Sequence, residues 1–259
     1  MNARLQSITK SKGPAVLAVA LLLLLWQAVC SVNLVPGYML PSPLAVARAF
    51  FADFPLLAEN AAVTLQEAFF GLVLGVAVGF AFAVIMDAFD GLYRAFYPIL
   101  VITQTIPAVA IAPLLVLWFG YEMTPKIVLI VLTTFFPMAV GLLEGFRSAD
   151  ADAVRLLRSM GAGRWQIFRH LKFPSALPQF FSGLRIAAAY SVVGAVISEW
   201  LGGFSGLGVY MTRVKKAFAF DKMFAVIFLI SAISLILMAL VNVAEKAAMP
   251  YRDLKGEQL

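Results

Sequence analysis

Polar and apolar positions along this chain fall into long blocks rather than into residue-by-residue alternation. Positions 14–32 run nineteen residues without a charge, enough for a helix to cross the ~30 Å hydrocarbon layer of a bilayer. Five further apolar blocks follow, at about 61–86, 95–119, 127–143, 183–201 and 223–244. The pattern predicts an all-α integral membrane protein with about six transmembrane helices. Because the first block exceeds the 7–15 apolar residues typical of a secretory signal and no A-x-A site follows it, it is read as a retained helix. Between the first two blocks, 33–60 is rich in proline, and its apolar part, 44–54, is expected to lie along the outer interface.

Three blocks carry interruptions that matter for chemistry. The second places Gly71, Gly75 and Gly79 one helical turn apart, a ridge of small residues read as close packing within the chain. It also holds Glu67, an acid inside a membrane and therefore a translocation-path candidate, with interfacial snorkelling as the alternative. The third block has no charge but contains Pro98, Pro107 and Pro113, which predicts a kinked or locally unwound helix with Gln104 and Thr105 polar at the interruption. Broken helices line cavities, so both are path candidates. In the fifth block only thirteen residues separate Arg185 from Glu199. Glu199 is read either as a path carboxylate or as an interfacial acid beside Trp200.

The polar interval 150–185 is the longest between any two spans. Arg155, Arg158, Arg164, Arg169, Lys172 and Arg185 lie in it, with Arg147 just before. Short loops rich in Lys and Arg stay in the cytoplasm, and this assignment leaves 14 basic residues inside against 6 outside. Asp150 is a predicted N-cap, Asp152 adds negative charge to the first turn, and Val154, Leu157 and Met160 recur at helical spacing until Gly161. Beyond Gly163, Trp165, Phe168 and Leu171 mark one apolar face of a second short helix, which Pro174 and Pro178 are expected to stop. Composition alone fits either an interfacial helix on anionic lipid or a protein-docking element.

With 62% hydrophobic and 13% charged residues, the chain is far from a soluble globular composition. Its net charge of +6 is accounted for by loop placement and does not imply nucleic acid. A single cysteine, Cys30, excludes an internal disulfide, and a single histidine, His170, leaves no His/Cys cluster for zinc. Gly202, Gly203, Gly206 and Gly208 fit neither a dinucleotide-binding nor a Walker A pattern. No catalytic set can be assembled, so the expectation is transport, with neither catalytic residues nor a cofactor or metal of its own.

The run MGAGRWQIFRHLKFPSALP resembles the loop motif of ABC-importer permeases: Glu-Ala-Ala, three residues, Gly, nine residues, then Ile-x-Leu-Pro. Here Gly161 is followed after nine residues by Leu171-Lys172-Phe173-Pro174, while Arg155-Leu156-Leu157 stand in place of Glu-Ala-Ala. The resemblance implies the type I importer permease fold, with 1–13 and 245–259 cytoplasmic, 33–60 periplasmic, and a core at 61–244 containing the coupling loop 146–182. It implies that Asp152, Arg155, Arg158, Gly161, Arg164, Trp165, Phe168, Arg169, Leu171 and Pro174 meet an ATPase subunit, which binds the ATP.

Further implied partners are a second permease copy, as a homodimer, and a periplasmic or lipid-anchored solute-binding protein, all in membrane lipid. RSMGAGRWQIFRHLKFPSALP, VISEWLGG and GLGVYMTRVKKAF look most like permeases for pyrimidine precursors of thiamine, within a branch that also handles nitrate, sulfonate and taurine. An ATP-independent carrier or channel is the alternative class, but the halves show no obvious inverted repeat.

Overall fold

The structure is a computed structural model that describes residues 2–32 and 34–250, with the side chains of 2–12 and of Ala15 outside that description. The basic residues expected at the N-terminus, and the tail beyond 250, therefore lie outside the described residues. The described chain is helical: α1 (Asn2–Ser31), α2 (Pro43–Ala52), α3 (Phe54–Ala88), α4 (Asp90–Thr103), α5 (Ala108–Phe119), α6 (Met123–Arg147), α7 (Ala151–Ser159), α8 (Arg164–Ile167), a π-helical turn (Phe168–Lys172), α9 (Phe173–Leu201), α10 (Leu207–Lys216) and α11 (Phe220–Ala248). Among these, α3, α6, the continuous run Arg164–Leu201 and α11 are each long and apolar enough to cross a membrane. The pair α4–α5 makes a fifth span if counted together, and Val16–Ser31 of α1 is a shorter apolar helix.

Two compact units divide these helices. The first comprises residues 1–58 and 210–229. Ser42 starts α2 by accepting a hydrogen bond from the Ala45 amide, which satisfies one of the four amides a helix leaves open at its beginning. Trp26 of α1 packs its ring against Phe224 and Phe228, at 5.8 and 6.0 Å. At the end of α2, Asp53 accepts hydrogen bonds from Lys222 Nζ at 3.0 Å and Tyr210 Oη at 2.7 Å. The Lys222 bond, then the Tyr210 bond, hold the Asp53 carboxyl below its usual range. Burial, helped by the same carboxylate, pushes the Tyr210 phenol up.

The second unit, residues 59–209 and 230–259, is built around α6. The glycine ridge of α3 lies against it: a Cβ on Gly71 would run into Ile130, on Gly75 into Thr134, and on Gly79 into Met138. Partners advance in the same steps of four on both helices, so α3 and α6 run parallel and in register. On another side of α6 the order reverses. Gly145 meets Ala176, Gly141 meets the Gln179 backbone and Gly183 meets the Pro137 carbonyl, which makes α9 antiparallel to α6. Small residues at these crossings let backbones approach closely, a main source of helix association in lipid. Met86, Met138, Leu142, Leu143 and Phe146 are buried near one end of this packing.

One expectation is corrected. Pro174 and Pro178 do not stop regular structure: α8, the π turn and α9 form one helix of 38 residues. The π turn accounts for Pro174, because Phe173 N–H reaches back to the Phe168 carbonyl, and the wider turn makes room for a proline ring that would clash in an ordinary α-helix; Pro178 lies inside α9 itself, where a membrane helix tolerates a proline through its neighbours. Arg185 of α9 pairs with Glu245 of α11 and donates to Asn242. The third span is locally unwound at 104–107, one of the two outcomes its prolines predict, and α4 and α5 meet there at 96°. Gln104 and Thr105 lie in that break, exposed, and Thr105 donates back to the Ile102 carbonyl.

Candidate functional site

Two places in the second unit concentrate polar chemistry. The first lies where α3, α6, α9 and the start of α10 converge. Asn60, Thr64 and Glu67 share one face of α3 at helical spacing. All three are at most 5% exposed, as are Lys126 and Glu199. Lys126 Nζ donates to Glu67 Oε1 at 2.6 Å. This ion pair is the first rung of the α3–α6 ladder, one turn before Gly71 and Ile130. Among the described residues nothing donates to Glu67 Oε2.

Glu199 sits beside that pair and fastens a loop. Its Oε1 accepts from Thr64 Oγ1 at 2.7 Å and its Oε2 from the Gly208 amide at 2.6 Å. Thr64 Oγ1 in turn accepts from the Leu207 amide at 2.9 Å, and Asn60 Oδ1 accepts from the Gly206 amide at 2.9 Å. Three successive amides leading into α10 thus find acceptors on α3 and α9, the service a local N-cap side chain usually provides. Gly206 is required here. Its φ is +119°, and any Cβ would collide with the Glu199 carboxylate.

Of the four path candidates, the structure brings Glu67 and Glu199 into this one buried cluster. It leaves Gln104 and Thr105 outside it, with no hydrogen bond to it among the described residues. Sequence reasoning missed Lys126, Asn60 and Thr64. The available signal was Lys126 at the head of the fourth span, which shares the register of Glu67 once the glycine ladder is laid against α6.

The second place is the elbow between α6 and α9. Asp150 caps α7 by accepting from the Asp152 amide at 2.9 Å, as its position predicts. The helix ends on Gly161 at φ +87°, with Gly161 N–H bonded to the Arg158 carbonyl and Ala162 N–H to the Leu157 carbonyl. This paired closure needs a left-handed residue, which favours glycine. Gln166 then reaches back to the Gly163 amide at 2.8 Å and starts α8.

The elbow is anchored by Phe168, which packs against Phe146 at 5.1 Å. Trp165, 67% exposed, stacks on Phe168 at 5.6 Å. Leu156 and Met160 are also exposed, at 61% and 73%, and Arg155, Arg158, Arg164 and Arg169 are exposed around them. Leu171 and Phe168 are half-buried, and Pro174 is exposed on the continuing helix. An apolar patch ringed by arginines on a short, rigidly capped helix suits a docking surface.

Residues 68–249 match the family described as binding-protein-dependent transport system inner membrane component. A probable ABC transporter permease protein of Haemophilus influenzae is 39% identical over 221 residues, covering 85% of this chain and 90% of that one. The formylaminopyrimidine transport permease protein ThiX of Halalkalibacterium halodurans is 38% identical over 216 residues, covering 83% and 86%. Among solved structures, a bacterial ABC transporter involved in import of the acidic polysaccharide alginate superposes with a TM-score of 0.65 at 16% identity, over 94% of this chain and 99% of that one. At that identity the likeness is one of fold.

Proposed function

The chain belongs to the family of binding-protein-dependent transport inner-membrane components, a multi-pass ABC-importer permease subunit of the bacterial inner membrane, and we propose that its solute is a pyrimidine precursor of thiamine. The observation that carries the solute is the 38% identity, over most of both chains, to a formylaminopyrimidine permease. Uptake of labelled formylaminopyrimidine by the importer, reconstituted with its ATPase and binding protein, is expected to be ATP-dependent and saturable. Uptake of taurine, an aliphatic sulfonate or nitrate in its place would overturn the assignment.

Permease subunits of this family are not themselves enzymes, so ATP hydrolysis is assigned to separate cytoplasmic subunits. A second permease copy completes the path, with Gln104 and Thr105 at the α4–α5 break as its polar lining. The α7–α8 elbow is the handle the ATPase moves. The Gly161 closure below α7 and the Phe146–Phe168 contact make it stiff enough to transmit a rigid-body displacement.

Valine at 161 must take a left-handed conformation that β-branched residues resist. Gly161→Val is therefore expected to lower uptake per ATP hydrolysed about tenfold, whereas Gly161→Asn, which tolerates that conformation, should stay close to the parent. The check is transport and ATPase rate measured on the same proteoliposomes. Equal coupling in the valine and asparagine variants would remove the elbow from the mechanism.

A further inference from the structure

Two hollows of opposite character adjoin at one end of the α3–α9 pair. The first is a cavity of about 750 Å³ between the ends of α3 and α6 and the α7–α8 elbow. Five cations line it, Arg147, Arg155, Arg158, Arg164 and Lys172, against two carboxylates, Asp87 and Asp90. Lys172 is held by Asp87 at 2.7 Å, and Arg147 lies over the Tyr93 ring with Asp90 at 3.7 Å. Arg155 reaches Asp152 at 3.3 Å. Arg158 and Arg164 have no ion pair among the described residues. The cavity therefore carries an unbalanced positive charge with two guanidinium groups to spare.

The second hollow, about 530 Å³, is a groove between α3 and α9 lined only by apolar side chains, among them Leu72, Ala77, Phe80, Phe180 and Leu184. The two share a wall. Phe173 lines the groove and contacts Phe168, which lines the basic cavity, at 6.2 Å; it also meets Phe80 edge-on at 6.2 Å. Along α3 the lining passes from Ala77 and Phe80 in the groove to Val84 and Asp87 in the cavity, so one helix face leads from hydrocarbon to charge.

We infer that this pair of hollows is a binding site for one anionic phospholipid, its phosphate in the basic cavity and an acyl chain in the α3–α9 groove. Guanidinium groups match phosphate oxygens in charge and fork geometry, and basic pockets between membrane helices at the cytoplasmic edge take anionic headgroups. The groove supplies shape rather than a hydrophobic driving force, because lipid tails are equally apolar. Selectivity therefore resides in the headgroup. The inference rests on the reading above that the α7 end lies at the cytoplasmic membrane edge.

The test is native mass spectrometry of the assembled importer, delipidated and then titrated with phosphatidylglycerol or phosphatidylcholine of identical chains, with glycerol phosphate as a headgroup without chains. Phosphatidylglycerol is expected to be retained about tenfold better than phosphatidylcholine. The double variant Arg158→Gln/Arg164→Gln, read on the permease alone because both arginines also belong to the elbow assigned to the ATPase, should erase that preference, and Ala77→Trp, which fills the groove, should reduce retention of the lipid severalfold. Equal retention of the two lipids, or a preference untouched by the arginine variants, would sink the proposal. So would glycerol phosphate binding as tightly as the whole lipid, which would make the cavity a free-phosphate site. Repeating the titration on the permease alone, alongside ATPase co-purification, separates failure of this site from failure of the docking assignment.

Discussion

Replacing Lys126 by Met is expected to destabilise the protein by about 3–5 kcal/mol, the usual cost of removing one member of a buried ion pair. The side chains of Lys126 and Glu67 are 6% and 4% exposed, so neither charge has water to fall back on. Without the ammonium, Glu67 would face the Glu199 cluster with no counter-charge, its second oxygen already lacking a donor. Glu67→Leu in the same background should recover most of the loss, because two apolar groups packed on the α3–α6 ladder need no compensation. Thermal unfolding in detergent of the two single variants and the double provides the comparison. A Lys126→Met protein as stable as the parent would mean the pair is not a closed rung of the ladder. A double variant no better than the worse single would mean the loss is one of packing rather than of charge.

What could be read from residues alone divides along a physical line between local and long-range causes. Four of the six apolar blocks, the Asp150 cap and the stop at Gly161 are local, set by hydrocarbon thickness and by the geometry of a single helix end, and the structure has each of them; the first block is a shorter apolar helix among the described residues and the third is a bent pair. The break at Gln104–Thr105 was legible as an interruption because proline acts on its own turn; its 96° angle was not, since neighbouring helices set it. Pro174 misled for a related reason. A proline vetoes an α-helical turn, but a wider π turn escapes the veto, and nothing in the composition of Phe168–Lys172 announces it.

The polar cluster is the clearest case of a long-range cause. Glu67 and Glu199 could be flagged one by one as acids inside apolar blocks, yet their partners lie far along the chain: Lys126 is 59 positions from Glu67, and Thr64 is 135 from Glu199. The four-residue recurrence that joins Glu67 to Gly71, Gly75 and Gly79 was visible. Recognising it as a ladder required knowing that α6 is the helix alongside.

Glu199→Ala is expected to cost about 2–4 kcal/mol and to loosen the loop that precedes α10. The substitution removes the carboxylate acceptor of the Gly208 amide and the nearer of two acceptors of the Thr64 hydroxyl, whose other is the Asn60 carbonyl at 3.2 Å. A buried donor left without a partner costs roughly 1–3 kcal/mol. The damage should spread, because Thr64 is held by Glu199 in the orientation that lets it accept from Leu207. Hydrogen exchange at Gly206, Leu207 and Gly208 is therefore expected to accelerate together, while amides in the middle of α6 keep their protection. Glu199→Gln, which keeps one acceptor oxygen, should fall between the alanine variant and the parent. A translocation-path carboxylate would behave differently: both substitutions would lower uptake while exchange at the three amides stayed at the parental rate. With Glu199 2% exposed and both oxygens already bonded, the first pattern is the expected one. Loss of transport would then follow from a freed loop rather than from a missing charge in the path.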